Sequence, residues 1–439
     1  MSDELYPRLG SDRENARVFN QHVRPRITGT SRENPNVLFI GGTPGSGKTT
    51  AQKTLLSRLG RTDSFSLDGD ELILQHPQAE RLHREGEFTG AYLASEALKG
   101  HWWSRAARLL RMQRLDTVIS APLAGPQWAI KRISEFRRAD FQVGVAFVAT
   151  HEALSLQGVV DRYHRNRQLY GYGRWIPPQW HDAAYSGVLD TADQIDALRA
   201  ADAIYVARRD GTLLHTNQLS PKGAWSLGLA TSQAIEAERN RPWTATESSH
   251  FLQKQGQLRR ELSAEWTPLL DSIDRRAMPA ISPLVVRDDV QLAAHRAETE
   301  GLLQRIEHEA ATMKSRSGEL GRAHHSGENA TRLKELREAG APAAELRQIR
   351  ETMHQDRWNA NITEFNLGRR IAGTTQLLEH TGQEQQRRGE LAPAERLCED
   401  RARQHLQALA ANQPVRSAPT RNDGPRLSGP EGGGRRRGW

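Results

Sequence analysis

Residues Gly42, Thr43, Pro44, Gly45, Ser46, Gly47, Lys48, Thr49 and Thr50 spell GTPGSGKTT and satisfy G-x-x-x-x-G-K-[ST] without a mismatch. Backbone N–H groups turn inward only where side chains do not limit φ. A helix beginning at Lys48 would aim its free amides and its dipole at the same point. The spacing therefore describes a cradle for a chain of phosphates. Lys48 brings a point charge to the β and γ phosphates and the Thr49 hydroxyl can ligate Mg²⁺, so ATP with Mg²⁺ is the expected pair. The apolar run NVLFI (36–40) before the loop and the helix-forming TTAQKTLLSRLG (49–60) after it supply the strand and helix that such a loop requires.

A cradle alone fixes no reaction. A guanine-reading switch would carry Asn-Lys-x-Asp, and Asn-Lys occurs nowhere in the chain. A motor would end an apolar strand in adjacent acids, whereas the candidates run VISAP (118–122) and FVATHE (147–152). A small-molecule kinase fits better. It needs a carboxylate at the C-terminal end of a neighbouring strand, to orient and deprotonate an attacking hydroxyl. In SFSLDGDELILQHPQ (64–78) Asp70 meets that need, with Asp68 just before it. Fixed cations must also sit on the equatorial oxygens of the transferring phosphoryl group. VVDRYHRNRQLYGYGRWIPPQWHD (159–182) offers Arg162 and Arg174 for that purpose.

The elements that must position these groups are legible as short apolar runs: NVLFI (36–40), SFSL (64–67), DTVIS (116–120), QVGVAFVA (142–149) and AIYVA (203–207). Each reads as a strand buried on both faces. Helical stretches between them imply an α/β fold with a mostly parallel sheet and right-handed crossovers. RRDG (208–211) followed by TLLHT predicts a closing hairpin, and the Ser220-Pro221 pair predicts the N-terminus of one last helix running to about Arg241. Residues 1–35 form a polar extension with a short helix around Glu14 to His22, and 36–241 the α/β domain. Residues 242–412 read as an all-α, charge-rich region. There Leu292, Thr299, Leu302, Leu303, Ile306, Ala310 and Met313 recur at helical spacing, and Gly340 and Pro342 punctuate a helical hairpin. Residues 413–439, rich in Pro, Gly, Ser and Arg, predict a disordered basic tail.

Taken in this order, the chain resembles the zeta toxin family of P-loop kinases from toxin–antitoxin systems. The likeness rests on GGTPGSGKTT, on DGDELILQHP with its Asp-x-Asp followed by His76-Pro77, on DRYHR followed by RWIPPQWHD, and on the RRDG hairpin before a Ser-Pro pair; it spans about residues 35 to 241. Antibiotic phosphotransferases of the chloramphenicol type and polynucleotide kinases are near neighbours on the same fold. The resemblance implies transfer of the γ-phosphate of ATP to the 3′-hydroxyl of the amino sugar in UDP-N-acetylglucosamine or a related activated sugar. It makes Asp70 the general base, Lys48 and Thr49 the holders of ATP and Mg²⁺, and Arg162 and Arg174 the stabilisers of the phosphoryl group. Asp68 would assist the metal or a water, and His76 would lie with the substrate.

Two places depart from the family pattern. Where the family carries an acid at the end of its third strand, this chain reads VISAPLAGP with Ser120, and where a sugar-contacting glutamate is expected it reads LKGHWWSRAARLL with Trp102 and Trp103. These three residues are the candidate acceptor contacts that replace them, the tryptophans by stacking on a base or sugar, although two aromatics on a packed helix are more often core. The acceptor is thereby left open between a UDP-sugar, an antibiotic and a polynucleotide 5′-hydroxyl, and a nucleotide-binding interaction protein without turnover stands as the non-enzymatic alternative. A formal charge of +8, with 61 Lys and Arg against 53 Asp and Glu, keeps nucleic acid open as a partner. The helical region could bind as an inhibitor in cis where an antitoxin protein would act in trans, serve as a docking arm, or be a scaffold. The single cysteine, Cys398, excludes an intramolecular disulfide. With no apolar leader and no long apolar run, the expected location is the cytoplasm, away from membranes.

Overall fold

The five apolar runs become five parallel strands of one sheet: β1 (Asn36–Gly41), β2 (Phe65–Asp68), β3 (Thr117–Ser120), β4 (Gln142–Val148) and β5 (Ala203–Ala207). A sixth, β6 (Leu213–Gln218), pairs antiparallel with β5 through the expected hairpin, and the order across the sheet is β2-β3-β1-β4-β5-β6. The computed structural model describes residues 12–75, 90–315, 320 and 327–411. Successive strand residues point to opposite faces, which explains why these runs are apolar throughout. Val37, Phe39, Val145 and Phe147 enter one core, while Leu38, Ile40, Ala146 and Val148 enter a second on the other face.

Helices cover both faces. In chain order they are α1 (Asp12–Val18), α2 (Lys48–Arg58), α3 (Gly69–Leu74), α4 (Gly90–Gln113), α5 (Pro126–Arg137), α6 (Glu152–Tyr170), α7 (Pro178–Leu198) and α8 (Thr231–Asn240). The polar-looking N-terminal extension is anchored: Val18, Phe19, Val23 and Ile27 are buried in the first core. The expectation of a helix starting at Ser220-Pro221 is corrected. That pair opens a turn in which Ser220 Oγ accepts from the amide of Ala224, and Gly223 and Gly228 adopt positive φ that a helix does not tolerate. Helix α8 begins only at Thr231, whose amide and hydroxyl are both held by the buried Asp196 carboxylate.

Beyond Pro242 all elements among the described residues are helical, as expected: α9 (Ala245–Glu261), α10 (Thr267–Ala277), α11 (Pro283–Val286), α12 (Asp289–Lys314), α13 (Gly327–Glu338), α14 (Ala343–Glu390) and α15 (Pro393–Ala411). Capping boxes start two of them, Thr244 with Glu247 and Asp288 with Gln291. Of the periodic residues read in α12, Leu292, Thr299, Ile306 and Ala310 are buried, and Leu302 is exposed. Gly340 at φ 68° turns the chain between α13 and α14. The tail from residue 412 lies outside the described residues, and among the described residues no helix is long and apolar enough to cross a membrane.

The change of sequence character at Pro242 does not mark a break in the core. One apolar cluster joins Leu156, Val159, Val160 and Tyr163 of α6, and Trp175 after it, to Trp243, Phe251, Leu258, Ile273 and Leu406. Nor do the mixed charges all lie on solvated faces. Glu384, Arg388, Glu399 and Arg403 are buried, with Arg388 Nε donating to Glu384 at 2.8 Å and Arg403 Nη2 to Glu399 at 2.8 Å. Their remaining N–H groups satisfy the orphan carbonyls of short helix α11: Arg403 donates to Val285 O at 2.8 Å and Arg388 to Leu284 O at 3.1 Å. Glu399 is shared by Arg387 and Arg403. Glu399→Gln should therefore lower the unfolding free energy by about 3 kcal/mol, because the buried Arg403 guanidinium and the partly buried Arg387 lose their common carboxylate. Urea denaturation checks this, and an unchanged midpoint would show the network to be solvated.

Candidate active site

The phosphate loop lies between β1 and α2, where the sheet's C-terminal edge meets a helix N-terminus. Gly45 and Gly47 adopt φ of 78° and 89°, and Gly47 is the N-cap of α2 and offers its amides no side-chain acceptor. Those amides and the helix dipole are what an anion would meet. Lys48 Nζ donates to the carbonyls of Gly42 at 2.9 Å and Thr43 at 3.1 Å, so the lysine folds over its own loop. Thr49 and Thr50, on the first turn of α2, are exposed, which suits a hydroxyl meant for a metal ion. Thr150, following β4, donates through Oγ1 to Ser46 O at 3.0 Å and fixes the loop from below.

Helix α6 holds the loop from the side. A Cβ on Gly45 would lie 2.0 Å from Ser155 O, and one on Gly158 would lie 2.6 Å from Gly45 O. The two backbones touch because neither residue has a side chain. Arg162 follows Gly158 by one helical turn and so projects from the same face of α6 that meets the loop. Arg174 comes from the strap after α6. Gly171 at φ 77° reverses the chain, Gly173 lies so close that a Cβ would be 2.5 Å from Tyr163 O, and Trp175 packs edge-on to Tyr163 with ring centres 5.4 Å apart.

Across the loop from α6, β3 and β2 end side by side. Ser120 is in register with Ile40 on one side and with Asp68 on the other, so the loop, Ser120 and Asp68 share one edge of the sheet. Asp70 occupies the first turn of α3 immediately beyond that edge. His76 lies outside the described residues. The tryptophans are placed differently from an acceptor contact. Trp102 has no exposed surface, donates to Asn15 O at 3.2 Å and meets the Phe19 ring edge-on. Trp103 is buried beneath Trp128 and the Arg132 guanidinium, which stands 4.7 Å from its ring. Neither indole keeps a free face for a ligand in this structure.

Two groups at the site go beyond the sequence reading: nothing in the sequence marks Arg239, and although His181 and Asp182 end the RWIPPQWHD segment, nothing there joins them to Ser155. Arg239, within the polar stretch AERNR, is 2% exposed beneath the loop. It donates to Tyr185 O at 2.8 Å and to Thr43 Oγ1 at 3.3 Å, and lies 3.8 Å above the Tyr185 ring. Burial lowers its pKa and pushes the Tyr185 hydroxyl up to about 12. The other group is Ser155, His181 and Asp182, joined by contacts of 2.8 Å and 3.0 Å in the order of a hydrolytic triad. Its chemistry is not nucleophilic: Ser155 is fully buried under the phosphate loop, and Asp182 is held at a pKa of about 2, chiefly by Arg276. Burial also keeps His181 below the ordinary imidazole range. The set ties α7 to α6 directly under the loop. The one cluster of metal-ligand type among the described residues, Asp271, Asp274 and His405, belongs to the C-terminal helices, and Arg259 already bonds both of its carboxylates.

Residues 20–220 match the zeta toxin family. Among solved structures the chain is similar to one from the PezAT chromosomal toxin–antitoxin system of Streptococcus pneumoniae, at 18% identity and a TM-score of 0.49, over 58% of this chain and 98% of that one. It is also similar to the AvrRxo1-ORF1:AvrRxo1-ORF2 complex, at 11% identity and a TM-score of 0.36, over 60% of this chain and 80% of that one. No curated protein matches the chain in sequence.

The glycine contact makes the loop's shape sensitive to a methyl group on its neighbour. Gly158→Ala should weaken binding of Mg·ATP by at least about tenfold, since backbone must move to admit the Cβ. Calorimetric titration checks it. Wild-type affinity in a folded variant would show that the loop's conformation does not depend on α6.

Proposed function

Residues 20–220 are zeta-toxin-like, and from that premise we propose that the chain is a phosphotransferase that moves the γ-phosphate of ATP to a hydroxyl of a UDP-activated sugar of the N-acetylglucosamine type. The observation that carries the proposal is the convergence on one sheet edge of the phosphate loop, the Asp68–Asp70 segment and, one turn beyond the loop's contact with α6, Arg162.

Each residue has a part in this reading. The loop amides and Lys48 hold the phosphates; Lys48 exchanges its carbonyl partners for phosphate oxygens when nucleotide enters. Thr49 would be the protein's ligand to Mg²⁺, which when bound would neutralise phosphate charge. Asp70 accepts the proton of the acceptor hydroxyl. Arg162 and Arg174 neutralise charge spread over the phosphoryl oxygens in a loose transition state. Asp68 and Ser120 are adjacent on the sheet edge, and in this reading they would serve the acceptor or the placement of the metal. Ser120 replaces a charged hydrogen-bond acceptor by a neutral hydroxyl, which favours a sugar held by fewer contacts or one with a different substituent.

Transfer from γ-labelled ATP tests the proposal, with UDP-N-acetylglucosamine, other nucleotide sugars, an RNA 5′-hydroxyl and a small-metabolite extract offered in parallel. Label is expected on the UDP-sugar, and Asp70→Asn should reduce kcat by at least about a hundredfold with little change in ATP affinity. Label on the RNA end, which the net charge of +8 would attract, or full activity in the Asp70 variant, would overturn the acceptor and the base respectively.

A further inference from the structure

We infer that the C-terminal helices are part of the phosphotransfer site as its brace, with Trp266 and Lys254 acting as positioning residues for the arginine pair Arg162 and Arg174. The inference rests on the reading that these arginines meet the transferring phosphoryl group.

Each arginine is flanked by a residue that the C-terminal region holds. Arg162 lies between Asp161, which pairs with Lys254 Nζ of α9 at 3.0 Å, and Tyr163, whose ring packs 5.4 Å from that of Trp266. Arg174 lies between Gly173, pressed onto the Tyr163 backbone, and Trp175, which stands edge-on to Trp266 at 4.9 Å. Trp266, in the turn between α9 and α10, is thus the third ring of a triangle that locks the strap to α6. Two of the three contacts are edge-to-face and the third, Tyr163 with Trp266, is tilted at 32°; ring pairs with such preferred geometries contribute orientation beyond their buried area.

Other contacts run in the same direction. Gln157 of α6 donates to Phe251 O at 3.0 Å and to Gln255 at 2.9 Å. Arg276 of α10 grips Asp182 at 2.7 and 2.8 Å and Glu152 at 3.2 Å, joining the first turns of α6 and α7. Helix α6 from Glu152 to Tyr163, and the strap that follows it, are therefore referred to one helical body rather than left to close over a substrate. A misplacement of about 1 Å in a charged group can cost on the order of a hundredfold in rate while leaving substrate binding nearly intact. A brace of this kind should accordingly act on kcat and not on nucleotide affinity.

The test uses the full chain. Trp266→Ala, Trp266→Phe and Lys254→Met are compared with wild type in three readouts: transfer from Mg·ATP to UDP-N-acetylglucosamine, affinity for Mg·ATP, and amide hydrogen exchange. Trp266→Ala is expected to lower kcat by about tenfold with affinity unchanged within about twofold, and Trp266→Phe to recover most of the loss. Lys254→Met, on a partly exposed rim where folding is not at stake, should lower kcat by about threefold. Exchange in residues 171–177 should rise in Trp266→Ala while that of β1 and β4 stays as in wild type. An unchanged kcat in both the Ala and Met variants, a parallel fall of kcat and affinity, or exchange that rises evenly through the sheet would overturn the brace. If wild type transfers phosphate to no acceptor, the kinase reading fails, and the exchange result still decides whether Trp266 holds the strap.

Discussion

The contact on which the site depends is between two main chains. Gly45 of the phosphate loop and Gly158 of α6 meet where neither has a Cβ, and a side chain on either would have to displace backbone. This fixes the distance between the loop and a helix that also carries Arg162 one turn away. A loop that cradles phosphate through amides has no long side chains with which to adjust its position; its place is set by what it leans on. Here it leans on α6 at Gly158 and Ser155, on Thr150 below, and on buried Arg239 behind.

Because α6 sets the loop, whatever sets α6 belongs to the same mechanical unit. One side of the helix, with Leu156, Val160 and Tyr163, is buried against residues that follow Pro242 in the chain. The Ser155–His181–Asp182–Arg276 chain of hydrogen bonds crosses from beneath the loop to helix α10 in four side chains. At its buried end Ser155 and His181 have their polar atoms engaged, which is the condition under which a buried polar contact stiffens a fold instead of weakening it, while Asp182 and Arg276 carry the chain out to a partly exposed rim. The region after Pro242 is thus structurally continuous with the nucleotide site.

The sheet was legible in the sequence almost residue for residue, since strands buried on both faces must be apolar without interruption and few other elements of that length are. The loop was legible for a related reason: positive φ at fixed intervals next to a lysine is a local requirement written in residue types. The Ser220-Pro221 pair misled because capping preference is local too, and two glycines with Asp196, far away in the chain, decide where α8 begins. Trp102 and Trp103 admit two readings in the sequence, core from the burial tendency of aromatics and acceptor contact from their position relative to a family pattern; the structure gives the first, and the helix phase that turns Trp102 onto Asn15 and Phe19 depends on an N-terminal extension whose docking no motif announces.

Charge was the least legible property. Alternating Arg and Glu at helical spacing predicts a solvated face, and in α14 and α15 several of these residues are instead sealed between helices. The sequence pattern is the same in both cases, because an i,i+4 pair such as Arg403 with Glu399 satisfies itself locally whether or not water is present. What separates them is a third partner. Arg388 and Arg403 have N–H groups left over after pairing, and the carbonyls at the end of short helix α11 need donors that its own four residues cannot provide. Burial of the charges follows from that mutual need, which arises between segments about a hundred residues apart and becomes visible only when the chain has folded.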